Sequence, residues 1–318
     1  MPDFLRILLV SRCDIFYPFE MKTSADNIRS PRERRQAFNF RLLILFILLA
    51  GYYFLGVKHH AGPDSGTYFD TTSAQTEQLL PGESFSVATF NIHRGKGMDG
   101  KRDINRTAEV LDDLDFVGLN EVGGVTLTRQ YNQAKILGDK LEMPWLFAPT
   151  ERLWGHDDFG NAVLSKLPVV SWQRIPIKSK SGLAKRNVVL VKVAHPNGTI
   201  NFLVTHVANK TDDPEQLRVI AELFMSLDEP AILMGDFNHT FNTPAMQELT
   251  SRPGVKSAAA VDYKNDKGQI LIDWMLYRGL DCIETEVIDR FVSDHPTIRA
   301  EFIWPGDSEE NRSEQHDD

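Results

Sequence analysis

The most constraining feature of the sequence is a set of short apolar runs, each followed at once by a polar side chain. Runs of this length are typical of buried strands, and helical patterns separate them between residues 85 and 303. A sheet gathers the residues at its strand ends along one edge, so we expect these polar groups to lie close together. The five segments are Phe90–Asn91, Asn120–Glu121, Thr205–His206, Gly235–Asn238 and Ser293–His295.

The local patterns predict an α/β or α+β domain over residues 84–303. Asp103 is a good N-cap before a helical pattern that ends at Leu114. Residues 188–205 predict a hairpin that turns at residues 195–198. Because no polar linker interrupts the series, we expect one domain.

The polar residues at these ends suit a hard cation beside a phosphate. Carboxylate and amide oxygens are the ligands of Mg²⁺ or Mn²⁺, which usually retain waters and substrate oxygens. A zinc hydrolase is disfavoured, because the sequence has no His-x-His-x-Asp-His cluster. The two cysteines, Cys13 and Cys282, have no metal-site spacing.

The order and local sequences of these segments, together with Asp273 in the stretch 271–274, resemble the endonuclease/exonuclease/phosphatase superfamily, the deoxyribonuclease-like metal-dependent phosphoesterases. The resemblance covers residues 84–303. It implies a four-layer sandwich of two packed mixed β-sheets flanked by helices, with the site across their shared rim. It also implies hydrolysis of phosphodiester or phosphomonoester bonds by metal-assisted attack of water.

The resemblance implies a role for each catalytic residue. Asp236 would orient or deprotonate the attacking water, while Asn238 donates a hydrogen bond to a phosphoryl oxygen. Asp273 would hold His295 in its cationic form, and His206 would act as a second donor.

The remaining site residues are a metal set and a weaker phosphate set. The metal set consists of Glu121, Asn91 and Asp294. The phosphate set includes arginines because a guanidinium can bind a phosphate with two hydrogen bonds. In the alternative interpretation, its arginines are solvated surface residues and its asparagine has a structural role. That set consists of Arg152, Arg186 and Asn161, and we assign no role to His93, His156 or His239.

An apolar run over residues 42–57 predicts a transmembrane helix. Its 16 residues would extend about 24 Å, against about 30 Å for a hydrocarbon core. Arginines are frequent in the basic segment 1–41, and only Lys58 follows closely. The positive-inside rule then predicts a single-pass protein of the inner (cytoplasmic) membrane, with residues 1–41 in the cytoplasm and the domain outside. A cleaved signal peptide and a buried soluble helix are alternatives, and Met21 rather than Met1 is a candidate start.

The segments that flank the domain have polar compositions. We expect residues 58–83 to form a flexible spacer and residues 304–318 to form an acidic, disordered tail. The formal charge of −9 is unevenly distributed along the chain. Residues 1–60 carry 9 Lys and Arg against 5 Asp and Glu, a charge of +4, so residues 61–318 carry −13. So acidic a domain is a poor nonspecific binder of nucleic acid.

These observations favour a membrane-anchored, metal-dependent phosphoesterase. The anchor favours a phospholipid or lipid-linked phosphate as the substrate, and no pattern indicates an obligate protein partner. A secreted or periplasmic nuclease acting on nucleic acid is the alternative. A noncatalytic binding module with the same fold is a second alternative, against which the complete set of site residues argues.

Overall fold

The computed structural model describes residues 30–56, 59–70, 76–127, 129–178, 185–208, 215–260, 264, 268 and 270–305. The chain forms a helical unit that ends at Tyr53 and a larger unit that begins at Phe54. The predicted tail lies outside the described residues from residue 306 onwards.

The described helices and strands alternate along the chain, as the sequence pattern predicts. The helices are α1 (Pro31–Gly56), α2 (Ile104–Val110), α3 (Gln133–Leu141), α4 (Glu215–Ser226) and α5 (Pro244–Thr250). The strands are β1 (His59–His60), β2 (Asp64–Gly66), β3 (Phe85–Asn91), β4 (Phe116–Gly123), β5 (Trp145–Leu153), β6 (His156–Ser165), β7 (Val169–Ile177), β8 (Arg186–His195), β9 (Gly198–His206), β10 (Ala231–Asp236), β11 (Lys256–Ser257), β12 (Asp273–Arg278), β13 (Asp281–Ile288) and β14 (Thr297–Ile303).

Two mixed sheets of seven strands each carry the larger unit. The first sheet has the order β1-β5-β6-β4-β3-β14-β13, and the second has the order β11-β12-β10-β9-β8-β7-β2. The central pairs β3–β4 and β9–β10 are parallel, whereas their outer neighbours are antiparallel. This architecture confirms the predicted fold of two packed mixed sheets with flanking helices.

An apolar core joins the two sheets. Phe116 on β4 stacks on Phe202 on β9, with ring centroids 3.8 Å apart and ring planes inclined by 15°. Phe85 meets Phe202 edge to face, with a centroid separation of 6.4 Å. Burying each ring contributes about 1.5–3 kcal/mol to folding. Phe85 and Phe116 lie at the starts of β3 and β4, so these rings hold the inner faces together at the end of the sheets opposite the polar motifs.

Helix α1 starts earlier than the predicted span of residues 42–57. Ser30 caps its N-terminus: the Ser30 hydroxyl accepts from the Glu33 amide at 3.2 Å, and the Glu33 carboxylate accepts from the Ser30 amide at 2.7 Å. The apolar side chains of Phe38 and Phe46 are exposed. By length and composition, Pro31–Tyr53 could serve as a membrane span or as a signal sequence.

Part of the predicted flexible spacer is instead ordered against the sheets. Strand β1 pairs with β5 and strand β2 pairs with β7, so this segment covers one edge of each sheet. Arg174 donates from Nε to the Gly62 carbonyl at 2.8 Å and lies 3.4 Å from the Asp64 carboxylate. Ala61 between the two strands is fully buried. Local composition suggested a coil because these stabilising contacts are all long-range.

Candidate active site

The registers of the central strands bring the polar strand ends to matching levels. Asn91 lies opposite Asn120 in the parallel β3–β4 pair. In the second sheet, Asp236 lies opposite His206 on one side and opposite Asp273 on the other. Each of the four other predicted motifs places a polar side-chain atom within 3.8 Å of Asp236, as the strand-end argument predicts.

Asp236 lies at the centre of the site and is only 2% exposed. Its Oδ2 accepts from Asn91 Nδ2 at 3.0 Å, and its Oδ1 accepts from the backbone amide of Asn238 at 2.8 Å. Burial, followed by the negative charge of Asp273, raises the pKa of Asp236 to about 7, against the opposing effects of His295 and these hydrogen bonds. A carboxyl with such a pKa can exchange a proton near neutrality.

The backbone around Asp236 forms a tight turn. Gly235 has a φ of 138° and lies so close to the Thr205 carbonyl that a Cβ would clash with it. Asn238 adopts a left-handed φ of 53°, which asparagine tolerates better than most residues. The side-chain Nδ2 of Asn238 lies 3.2 Å from His206 Nε2 and donates to the Val207 carbonyl at 3.0 Å. The turn therefore fixes the direction of the Asn238 side chain.

His295 and Asp273 form a close pair next to Asp236. The Nδ1 atom of His295 is 2.8 Å from Asp273 Oδ2, and its Nε2 atom is 3.8 Å from Asp236 Oδ2. Burial alone would lower the pKa of His295, but the carboxylate of Asp273, followed by those of Asp236 and Asp294, raises it to about 10. His295 is therefore an imidazolium at neutral pH.

His206 has the opposite electrostatic character. It is 4% exposed, and its Nε2 lies 3.3 Å from Asp236 Oδ2. Burial, followed by the positive charges of Arg186 and His295, holds the pKa of His206 well below its usual value. The two histidines therefore differ in charge at neutral pH, with His206 neutral and able to offer a single N–H.

Glu121 has the features of a cation ligand. A bulge in β4 gives it a φ of 56° and leaves its side chain half-buried. Among the described residues, its carboxylate makes no hydrogen bond or ion pair. A half-buried carboxylate without a protein partner matches a divalent cation, which supplies the missing charge.

The other two residues of the predicted metal set contact His93. Asn91 Oδ1 accepts from the His93 backbone amide at 3.1 Å. Asp294 Oδ1 lies 3.0 Å from His93 Nδ1. This assigns His93 a structural link between β3 and the loop before β14.

A second grouping of ligand atoms is present in the same site. Single ligand atoms of Asp236, Asp273 and His295 lie within 4.8 Å of one another. A ligating imidazole nitrogen must be unprotonated, and the pKa of His295 near 10 opposes this. The positive charge of His295 therefore favours an acid–base function for these three residues over a metal-ligand function.

The predicted phosphate residues occupy three different surroundings. Arg152 is half-exposed and pairs with Asp157 at 2.6 Å. Arg186 begins β8, and its charge acts on His206. Asn161 is buried: its Oδ1 accepts from Asn120 at 2.9 Å and its Nδ2 donates to Asn187 at 2.8 Å. These contacts support the structural alternative for Asn161.

Sequence reasoning missed the buried amides beneath the site. Asn120 donates to the Thr205 carbonyl at 3.0 Å and accepts from the Asp236 amide at 2.8 Å. Asn187 donates to the Pro149 carbonyl at 3.0 Å. Position 120 belongs to a recognised motif, but only the pairing of the two sheets reveals its partners. Asn187 carries no local signal beyond its place after Arg186.

A family model shows the relationship that this geometry suggests. The model of the Endonuclease/Exonuclease/phosphatase family matches residues 88–295, which is more than half of the chain. The chain belongs to this family. Members of this family are hydrolases that act on phosphate esters. We found no match among curated proteins.

Three solved structures illustrate how widely this fold is shared. A family protein from Beutenbergia cavernae is 22% identical with a TM-score of 0.58, over 70% of this chain and 72% of that one. One from Leptotrichia buccalis is 18% identical with a TM-score of 0.55, over 69% of this chain and 100% of that one. The human nocturnin catalytic domain with bound sulfate is 16% identical with a TM-score of 0.53, over 76% of this chain and 97% of that one.

Proposed function

We propose that the protein is a membrane-anchored, Mg²⁺- or Mn²⁺-dependent phosphoesterase that hydrolyses its substrate by attack of water. The observation that carries this proposal is the arrangement of Asp236 between a cationic His295 and a neutral His206. A carboxyl with a pKa of about 7 lies 3.8 Å from an imidazolium whose pKa is about 10. Two groups so different in proton affinity suit the base and the cationic stabiliser of one reaction.

In this mechanism the deprotonated Asp236 accepts a proton from the water that attacks phosphorus, the ester P–O bond to the leaving group breaks, and the leaving oxygen takes a proton from bulk water. Hydrogen bonds from the Asn91 side chain and from the Asn238 backbone amide orient the carboxylate. The carboxylate can therefore position the water for attack on phosphorus. His295 donates from Nε2 to an oxygen of the phosphoryl group while Asp273 holds its Nδ1. The side-chain Nδ2 of Asn238, which also donates to the Val207 carbonyl, provides a further donor to the phosphoryl oxygens.

Glu121, together with Asn91 and Asp294, would hold the metal. The unpartnered carboxylate of Glu121 fits this assignment. A hard cation there offsets the negative charge that accumulates on the phosphoryl oxygens.

The substrate assignment depends on helix α1. Its exposed apolar side chains and the arginines in its first turns suit a membrane anchor, which favours a phospholipid or lipid-linked phosphate at the membrane surface. A periplasmic nuclease is the alternative, because the site contains nothing specific to a lipid. Arg186, close to His206, is our candidate for an additional contact to the substrate phosphate.

The proposal is tested with full-length protein in detergent and a panel of phosphate mono- and diesters. The panel contains p-nitrophenyl phosphate, bis(p-nitrophenyl) phosphate, phosphatidic acid and single-stranded DNA. We expect turnover of at least one ester that EDTA abolishes and Mg²⁺ or Mn²⁺ restores. Asp236→Asn should remove this turnover, while Asp228→Asn, an exposed control on the same unit, should not. Undiminished turnover in EDTA would contradict the metal requirement.

A further inference from the structure

A cavity of about 270 Å³ beside β4 is lined by three arginines. The residues that concern us are Arg94, Arg102, Arg129, Asp103, Tyr131 and Gln133, and we call this the arginine cleft. None of its three arginines belongs to the site described above. Residues 84–303 carry 25 Lys and Arg against 29 Asp and Glu, a formal charge of −4, so three arginines around one cavity are a local departure from the balance of the domain.

Gln133 connects the arginine cleft to the strand ends of the site. Its Oε1 accepts from the Gly123 amide at 2.7 Å, and its Nε2 donates to the Arg94 carbonyl at 2.8 Å. Gly123 is two residues beyond Glu121 on β4. The cleft therefore borders the same end of β4 as the carboxylate to which we assign the metal.

Gly123 leaves room for the guanidinium of Arg129. A Cβ at Gly123 would lie 2.9 Å from Arg129 Cζ, so a larger residue would displace this side chain. Arg129 is held by hydrogen bonds from Nε to the Gly124 carbonyl at 2.6 Å and from Nη2 to the Asp158 carbonyl at 2.9 Å. Because these bonds already order the side chain, a bound anion loses little of its binding free energy to ordering it.

The cleft retains positive charge after its ion pairs are formed. Arg94 and Arg129 share the carboxylate of Asp158, at 3.5 Å and 3.2 Å. The Asp103 carboxylate accepts from the Asn105 amide as the cap of α2. Three cations against these two anions leave a net charge of +1.

Arg102 supplies the most accessible donors. It is exposed, and within the described part of the chain its side chain makes one hydrogen bond, from Nη1 to the Arg94 carbonyl at 3.2 Å. The other guanidinium nitrogens point to no protein acceptor there. An arginine with unused donors in a cavity is suited to a phosphate, whose oxygens accept two parallel hydrogen bonds.

We infer that the arginine cleft binds a second phosphate group of the substrate, adjacent to the phosphate that is hydrolysed. This inference rests on the proposed function for the position of the first phosphate. The substrate would then carry at least two phosphates, as in a polynucleotide or a lipid diphosphate. A simple monoester with one phosphate would leave the cleft unused.

The test compares substrates that differ by one phosphate, using full-length protein in detergent. The nucleotide pair is the p-nitrophenyl ester of thymidine 5′-phosphate with and without a 3′-phosphate. The lipid pair is diacylglycerol pyrophosphate and phosphatidic acid in mixed micelles. We expect kcat/KM to be about tenfold higher for the two-phosphate member of at least one pair, and that pair identifies the source of the second phosphate.

Variants separate phosphate binding from structural support. Arg102→Gln should lower the preference for two phosphates about tenfold, because it removes a charge-assisted contact, and should leave kcat/KM for the one-phosphate member within about twofold. Arg218→Gln, which removes an exposed arginine paired with Glu215 on α4, is the matched control and should change neither value. An equal loss for both members, or no preference in the unmodified protein, overturns the inference.

A binding measurement distinguishes failure of this inference from failure of the proposed function. Thymidine 3′,5′-bisphosphate binding is measured by equilibrium dialysis in EDTA. If no ester is hydrolysed yet Arg102→Gln weakens this binding about tenfold, phosphate binding by the arginine cleft is supported and the proposed catalysis is contradicted. If esters are hydrolysed and Arg102→Gln leaves both binding and preference unchanged, the cleft is not a phosphate site.

Discussion

The side-chain oxygen of Asn120 accepts a hydrogen bond from the backbone amide of Asp236 at 2.8 Å, across the interface between the two sheets. The same side chain donates to the Thr205 carbonyl, one residue before His206. Asn120 also directly precedes Glu121. One buried amide therefore sets the position of the proposed metal ligand on one sheet relative to the proposed base on the other.

Replacing Asn120 should cost stability as well as activity. Asn120→Ala leaves the Asp236 amide, the Thr205 carbonyl and the Asn161 amide oxygen buried without this partner. We expect a loss of about 1–3 kcal/mol in the free energy of unfolding, measured by urea denaturation. Asn105→Ala, at an exposed position on α2, should change stability by less than about 0.5 kcal/mol. A stable Asn120→Ala protein would remove this residue from the framework of the site.

Asp236 and His295 should be needed for turnover but not for folding. Asp236→Ala and His295→Ala should each lower kcat by about 10²-fold or more, the scale of losing a positioned acid–base group. Both variants should still unfold in a cooperative thermal transition, and the midpoint should fall for His295→Ala because its ion pair with Asp273 is lost. Near-normal kcat in either variant contradicts its role, and loss of the cooperative transition would favour a structural function.

The pKa of His295 gives a pH dependence with a definite sign. Its folded pKa, about 10, lies above its ordinary value of 6.5, so protonated His295 stabilises the fold fully below pH 6.5. This contribution is lost as the pH rises from 6.5 through 10. The unmodified protein should therefore lose stability relative to His295→Gln over that window, measured by urea denaturation. A constant difference between the two proteins would contradict the raised pKa.

Glu121 should control the metal requirement. Glu121→Gln retains the shape but removes the charge, so we expect the Mg²⁺ concentration for half-maximal turnover to rise about tenfold or more. Glu109→Gln, at an exposed position on α2, is the matched control and should titrate as the unmodified protein does. An unchanged titration for Glu121→Gln would remove this residue from the metal site.

The orientation of helix α1 is tested by reporters. Alkaline phosphatase fused after residue 80 should be active if the N-terminus is cytoplasmic, whereas a fluorescent protein that must fold in the cytoplasm should be dark. The protein should stay in the membrane pellet through a high-salt wash. Release of a shortened, soluble protein would instead indicate a cleaved signal and would remove the anchor as an argument for a lipid substrate.

The strand ends could be predicted from the sequence because the pattern that marks them, an apolar run followed by a polar residue, lies within a few consecutive residues. The buried run Ala231–Met234 leads directly to Asp236, and Phe116–Leu119 leads to Glu121 in the same way. Strands β5 and β7 escaped prediction, since Pro149 and Pro176 interrupt their patterns and bulges break their pairing. Roles that depend on contacts between sheets, such as that of Asn120, became visible only with the register of the strands.

The strands that follow helix α1 limit how far this protein can be truncated from its N-terminus. A fragment that begins at residue 84 would lack β1 and β2, so the edges of β5 and β7 would present unpaired backbone groups to other molecules. It would also leave the buried guanidinium of Arg174 without its acceptor at Gly62. Such a fragment should be prone to aggregate for reasons unrelated to its chemistry. A soluble form suitable for enzymology must therefore begin upstream of His59.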